Sequence, residues 1–313
     1  MTSINDLDNM TLAKIFENLP IVDGITVPHV CKKWKRASWL VTNWNRFRTL
    51  STSSVTYKNR GSDFKTKHDI KSVLSRCGRY LKHLTLECNF DSSIMPIVSE
   101  YCSNLLSIYI NFNKYNDDDF KNAFKKMSTL KSVKIIYFPM YDVIISVDDD
   151  TVRRPLINDT KILSNMLSKT VEELSFCVNP MLNKPLANNF ANELKHFTEL
   201  HSLELVRSYL GNEMLKVIPQ LKKLVRLNLS GAYWYGDSMA KIWDLNNLEF
   251  LDLSNCPVTD REIRIIAKKC NKLKYLNVRN CVMISNLTLL TMKDEKTFNL
   301  ITHVDLGALQ KKK

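Results

Sequence analysis

The chain has 313 residues, of which 44% are hydrophobic and 25% charged, a balance that suits a folded protein and argues against broad disorder. Its 45 Lys and Arg against 32 Asp and Glu give a net charge of +13, which admits acidic partners of several kinds. Seven glycines leave no G-x-G-x-x-G or G-x-x-x-x-G-K-[ST] phosphate loop, the polar Met1 to Asn9 does not read as a secretory leader, and no run approaches the roughly 18 apolar residues that span a bilayer.

From Asp8 to Leu19 the apolar residues Leu12, Ile15, Phe16 and Leu19 fall at i, i+3, i+4 and i+7, which predicts an amphipathic helix ended by Pro20. Asp23 can cap a short second helix, and Val30-Cys31 leads into a third that carries Trp34, Ala37, Val41 and Trp44 on one face. Three short helices in about forty residues hide little of their own apolar surface. Leu7, Ile15, Phe16, Leu19, Val30 and Trp34 exceed what so small a core covers, and an uncovered apolar patch marks a protein-binding surface.

The string Leu7, Leu12-x-x-Ile15-Phe16-x-x-Leu19-x-x-x-Asp23, Val30-Cys31-Lys32-x-Trp34 resembles the F-box, the motif that docks onto the Skp-family adaptor of cullin–RING ubiquitin ligases. Where that family opens Leu-Pro-x-Glu, this chain has Leu7-Asp8-Asn9-Met10, and Pro28 falls inside the second helix. The resemblance implies an F-box over residues 1–45, with Leu7, Leu12, Ile15, Phe16, Leu19, Val30 and Trp34 as the adaptor contact. The alternative reading of the same helices is a cap over the open end of whatever follows.

Residues 46–80 read as a connecting segment. Trp44 to Leu50 looks like a degenerate first strand, and a Ser/Thr-rich stretch then leads into a helix ending near Cys77. Such a link would join head and remainder rigidly.

From residue 81 onward the hexapeptide L-x-x-L-x-L, with Ile, Val or Phe sometimes replacing Leu, recurs nine times, starting at Leu81, Leu105, Leu130, Val171, Leu200, Leu224, Leu248, Leu273 and Ile301. The steps are 24, 25, 41, 29, 24, 24, 25 and 28 residues, the period of a leucine-rich repeat. One unit cannot bury its own apolar face, so units stack into a curved parallel sheet with outer helices. The stretch Leu248 to Leu276 resembles the cysteine-containing subclass: Cys256 ends a strand, Thr259 or Asp260 caps a helix whose Ile263, Ile266 and Ala267 face the strands, and Cys270 closes the unit. The expected fold is therefore an α/β leucine-rich-repeat solenoid over 81–313 behind a three-helix F-box, with an insertion at about 139–158. An F-box followed by such repeats extends the resemblance over essentially the whole chain.

The eight cysteines are spread singly with no C-x-x-C, which reads as reduced packing residues and a cytoplasmic or nuclear setting. Lys222-Lys223 and Lys268-Lys269 fall at predicted helix ends, where cations complement the helix dipole, so much of the positive charge needs no polyanion. Third, fifth and seventh strand positions project from the concave face. They are mixed in charge, which argues against nucleic acid. Their aromatic and Arg residues concentrate in the last repeats: Arg226, Phe250, Tyr275 and Arg279, with Tyr233, Trp234 and Tyr235 in the loop after one strand. That set is the expected target-binding surface.

No H-E-x-x-H, G-x-S-x-G or Cys/His quartet occurs, so no catalysis, cofactor or metal is expected. The leading expectation is the substrate-recognition subunit of a Skp–cullin–F-box ligase. It would join the adaptor, and through it cullin and RING subunits, to an unidentified protein target, with no membrane partner. A repeat scaffold without a ligase role, or a basic nucleic-acid-binding repeat protein, stands as the alternative.

Overall fold

All nine hexapeptides form strands. In the computed structural model, which describes residues 3–52, 66–112, 114, 116–137, 169–178, 188–234, 244–285, 287–288 and 303–305, they become β2 (His83–Phe90), β3 (Ser107–Phe112), β4 (Ser132–Tyr137), β5 (Glu173–Val178), β6 (Ser202–Val206), β7 (Arg226–Asn228), β8 (Phe250–Asp252), β9 (Tyr275–Asn277) and β10 (His303–Asp305). A short β1 (Thr49–Ser51) precedes them, and the sheet runs β1 to β10 in chain order with every neighbour parallel. This is the α/β leucine-rich-repeat solenoid that the spacing predicts. The degenerate first strand is shorter than expected: Asn43–Arg46 coil into a 3-10 helix, and pairing with β2 is limited to three residues.

Alternation in the strands places one face inward. In β3, Ile108, Ile110 and Phe112 are buried while Ser107, Tyr109 and Asn111 are only partly covered. Outer helices close the other side of the core. In α4 (Lys67–Cys77), Ile70, Val73, Leu74 and Cys77 are buried at i, i+3, i+4 and i+7; α5 (Met95–Tyr101), α6 (Asn188–Leu194), α7 (Asn212–Val217) and α8 (Asp260–Lys269) follow. Thr66 caps α4, and Thr259 and Glu262 do the same for α8, where the Thr259 amide donates to Glu262 Oε2 at 2.8 Å. The resulting core is one continuous cluster from Leu50 to Ile284.

In the later repeats the chain leaves its strand through a left-handed residue. Arg207, Gly231, Asn255 and Asn280 all have left-handed backbones, with φ of 55°, 67°, 58° and 58°. Each is followed by a small buried residue: Ser208, Ala232, Cys256 or Cys281. Cys256 Sγ donates to the Leu229 carbonyl and Cys281 Sγ to the Leu253 carbonyl, both at 3.0 Å, so each thiol reaches back one repeat. Cys31, Cys77, Cys102, Cys177, Cys256, Cys270 and Cys281 are free thiols.

The N-terminal head consists of α1 (Asn9–Phe16), α2 (Ile21–Val30) and α3 (Lys32–Trp39). Asp8 caps α1, accepting from the Met10 and Thr11 amides at 2.8 and 3.0 Å and from the Thr11 hydroxyl at 2.7 Å, and these bonds lower its carboxyl pKa. Pro28 sits in the last turn of α2, which ends two residues later. Direct contacts join head to ribbon. The Arg76 guanidinium of α4 lies 5.3 Å from the Trp39 ring centre and 5.5 Å from that of Trp44, while Ile21, Trp44 and Phe47 pack on the ribbon core. Arg46 donates to the Leu19 carbonyl. Among the described residues no helix is long and apolar enough to cross a membrane.

Candidate functional site

The head has a core of its own, separate from that of the ribbon: Leu12, Phe16, Val27 and Ala37 are buried, with Leu7, Leu19, Trp34 and Val41 packed against them. Two of the expected adaptor contacts, Leu12 and Phe16, thus lie inside the head's own core. Leu12 is 0% and Phe16 4% exposed, because the apolar stripe of α1 turns toward α3. Phe16 meets Trp34 with ring centres 5.1 Å apart. Trp34 is half-buried, and its Nε1 donates to Asn5 Oδ1 at 2.9 Å, which ties the N-terminal turn over α3. Leu7 and Leu19 are likewise half-buried.

Ile15 and Val30 lie on the outside, 39% and 59% exposed. Met10, at 60%, and Ile4 join them as uncovered apolar side chains that the helical periodicity did not single out. Their signal was present but faint: both sit at or before the helix start, where no i, i+3, i+4 stripe has yet formed.

On the concave face the third strand positions of the last repeats stack. The Arg226 guanidinium lies 3.9 Å above the Phe250 ring centre, and Phe250 stacks on Tyr275 at 4.4 Å with the planes 2° from parallel. The register explains this, since Arg226 pairs with Phe250 and Phe250 with Tyr275 across parallel strands. A second stack forms between Tyr209 and Tyr233, 4.8 Å apart and 7° from parallel, where the two residues make a parallel bridge just beyond the strands.

Trp234, expected at the target surface, is 7% exposed and belongs to the ribbon core. With Tyr233 facing outward, alternation turns the next side chain inward, and Trp234 takes the place held by Leu210 and Val258 in neighbouring repeats, which are also buried. Tyr235 and the 139–158 insertion lie outside the described residues. Arg279 is exposed.

Two acidic groups of this face, Glu204 and Asp252, have partners within it. Glu204 accepts from the Ser175 hydroxyl at 2.7 Å and has Lys134 Nζ at 3.8 Å. Asp252 accepts from the amide and hydroxyl of Ser254 at 2.9 and 2.7 Å and from Asn277 Nδ2 at 2.9 Å. Buried thiols are unreactive: burial pushes Cys77, Cys102 and Cys270 up to about 12. No group of three or more His, Cys, Asp or Glu side chains able to hold a metal ion occurs among the described residues.

No protein-family model matches the chain, and no curated protein does. Among solved structures the chain is similar to an internalin, InlF, from Listeria monocytogenes, at 13% identity and a TM-score of 0.47 over 97% of this chain and 86% of that one. It is also similar to the leucine-rich-repeat protein LegL7 from Legionella pneumophila, at 14% identity and a TM-score of 0.41 over 83% and 79% of the two chains. The ectodomain of the Arabidopsis receptor kinase HAESA, solved with a peptide hormone, matches at 16% identity and a TM-score of 0.41 over 69% of this chain and 32% of that one. These are likenesses in coiling only. The repeat architecture itself rests on the ten parallel strands and their spacing.

Proposed function

We propose that the chain is the non-catalytic substrate-recognition subunit of a Skp–cullin–F-box ubiquitin-protein ligase. Its head docks the Skp-family adaptor, and its ribbon holds a protein target. The observation that carries this reading is a head with its own small core that nevertheless leaves Met10, Ile15 and Val30 open to solvent. Ile15 and Val30 belong to the residues that match the F-box pattern. Contacts around Arg76, Trp39 and Trp44 support the same reading, because a receptor of this kind must hold its target at a fixed distance from the adaptor.

The test is adaptor co-purification with Ile15→Asp plus Val30→Asp, two exposed positions whose charge does not enter the core. Loss of about 3 kcal/mol of affinity, more than a hundredfold, is expected for two charges forced into a desolvated interface. Circular dichroism should stay unchanged. Undiminished adaptor binding by the folded variant would refute the assignment. A repeat scaffold without ligase partners is the second reading, favoured by Asp8-Asn9-Met10 standing where the family has Pro-x-Glu. Ubiquitin-chain formation on captured proteins in the presence of reconstituted cullin separates the two.

A further inference from the structure

Several ribbon lysines are neutralised from one repeat to the next: Lys131 by Glu172, Lys223 by Glu199 and Lys274 by Glu249, at 2.7, 2.6 and 2.7 Å. The third helix of the head is different. Its inner stripe, Trp34, Ala37 and Ser38, turns toward the head, which leaves Lys32, Lys35, Arg36 and Trp39 exposed at i, i+3, i+4 and i+7 on the outside. Those three cations make no ion pair among the described residues. Between Asp23 and Asp63 the sequence holds eight Lys or Arg and no Asp or Glu. The carboxylate of Glu17, which reaches Thr42, already accepts from its amide and hydroxyl at 3.2 and 3.1 Å.

A basic helix face alone is an ordinary solvated surface, but Trp39 is not an ordinary end to one. Tryptophan is highly buried on average, and this one is 69% exposed. The Arg76 guanidinium sits 5.3 Å from its ring centre and 5.5 Å from that of Trp44, which fixes the Trp39 ring while leaving most of it in water. Fastening the head to the ribbon needs Trp44, which is half-buried; it does not need a second, open ring. Contacts continue from Trp44 to Phe47, with ring centres 5.8 Å apart, and from Phe47 to the exposed Arg46, whose guanidinium lies 4.6 Å from the Phe47 ring centre. Cations and rings thus form one line of touching side chains from the end of α3 onward.

We propose that this surface binds single-stranded nucleic acid, with phosphates on Lys32, Lys35, Arg36 and Arg46 and one base stacked on Trp39. Unpaired strands are held in this way, by cations along the backbone and by aromatic faces that take any base. Guanidinium groups suit phosphate because their N–H fork matches its oxygens. An anionic bilayer fits less well. A helix that lies in a membrane interface buries its apolar face there, and the apolar face of α3 is already spent on the head core. The proposal goes beyond the receptor reading and does not depend on it, since none of these residues is one whose exposure carries that reading.

The test uses the full-length chain with fluorescein-labelled twelve-nucleotide oligouridylate and oligothymidylate, a length within the range that single-strand sites cover, and reads anisotropy over a salt series. At least one of the two should bind, and more weakly as salt rises. Trp39→Ala should weaken binding about tenfold, the loss of one stacked base, with an unchanged circular dichroism spectrum. Trp39→Phe keeps a ring and should stay within about threefold; quenching of tryptophan emission by the oligonucleotide should vanish in it. Lys35→Gln plus Arg36→Gln should flatten the dependence of log affinity on log salt by about 1.4, about 0.7 for each phosphate contact removed. Lys222→Gln plus Lys268→Gln, at exposed helix ends of the ribbon, should leave that slope unchanged. Equal flattening in both double variants would reduce the effect to overall charge and overturn the proposal. No binding of either strand at low salt, or equal binding of a duplex whose stacked bases cannot reach Trp39, would also overturn it. Sedimentation with equimolar phosphatidylserine and phosphatidylcholine vesicles, without oligonucleotide binding, would overturn it in favour of a membrane surface.

Discussion

Individual residues set the pH range over which the ribbon holds. Cys77, Cys102 and Cys270 are buried at repeat-defined positions, and removal from water pushes their thiols from an ordinary value of 9.0 up to about 12. The folded chain keeps these thiols neutral, whereas the unfolded chain ionises them from about pH 9 upward. Their contribution to stability is therefore complete below pH 9 and is lost as pH climbs between 9 and 12. The urea midpoint should fall steeply between pH 8.5 and 10.5, and less steeply in Cys77→Ala. An identical slope in the variant would mean that the thiol is already accessible to solvent. Sequence spacing marks Cys102 and Cys270 as packing residues, because each lies three residues before the first leucine of a strand motif. Trp234 was not legible in this way: the left-handed turn at Gly231 and the bridge from Tyr209 to Tyr233 are what turn it inward.

Elements are positioned by how closely successive turns of the ribbon approach. Gly78 ends α4 where the chain passes the end of α5, and a methyl group there would lie 2.9 Å from Tyr101 Cβ and the Tyr101 carbonyl oxygen and 3.1 Å from Cys102 Sγ. Backbone oxygen does not yield as a flexible side chain does. Gly78→Ala should cost about 1–3 kcal/mol by overpacking, read as a lowered thermal midpoint; an unchanged midpoint would show that the two repeats stand further apart. At this scale the strands were fully legible, since L-x-x-L-x-L carries both period and inward face. The head was legible only as helices. An amphipathic stripe shows that α1 has an apolar face but not whether that face meets its own neighbours or another protein, so the packing of Leu12 and Phe16 inside the head was not legible. Stacking of Phe250 on Tyr275 likewise needs strand register, which a single strand does not carry.

Across the whole molecule, the helical head and the stacked side chains of the late repeats lie toward opposite ends of the sheet. The head keeps Met10, Ile15 and Val30 in water, while the far repeats stack Arg226 on Phe250 and Phe250 on Tyr275. A single continuous core runs between them, and the Arg76 contact with Trp39 and Trp44 fastens the head to its first turn. Binding at one end should thus leave the other accessible. The most direct measurement is amide hydrogen exchange of the full chain with and without a saturating recombinant Skp-family adaptor. Slowed exchange within α1 to α3, with β6 to β9 unchanged, is the expected result. Unaltered exchange in the head, or protection appearing on the concave strands instead, would contradict the account.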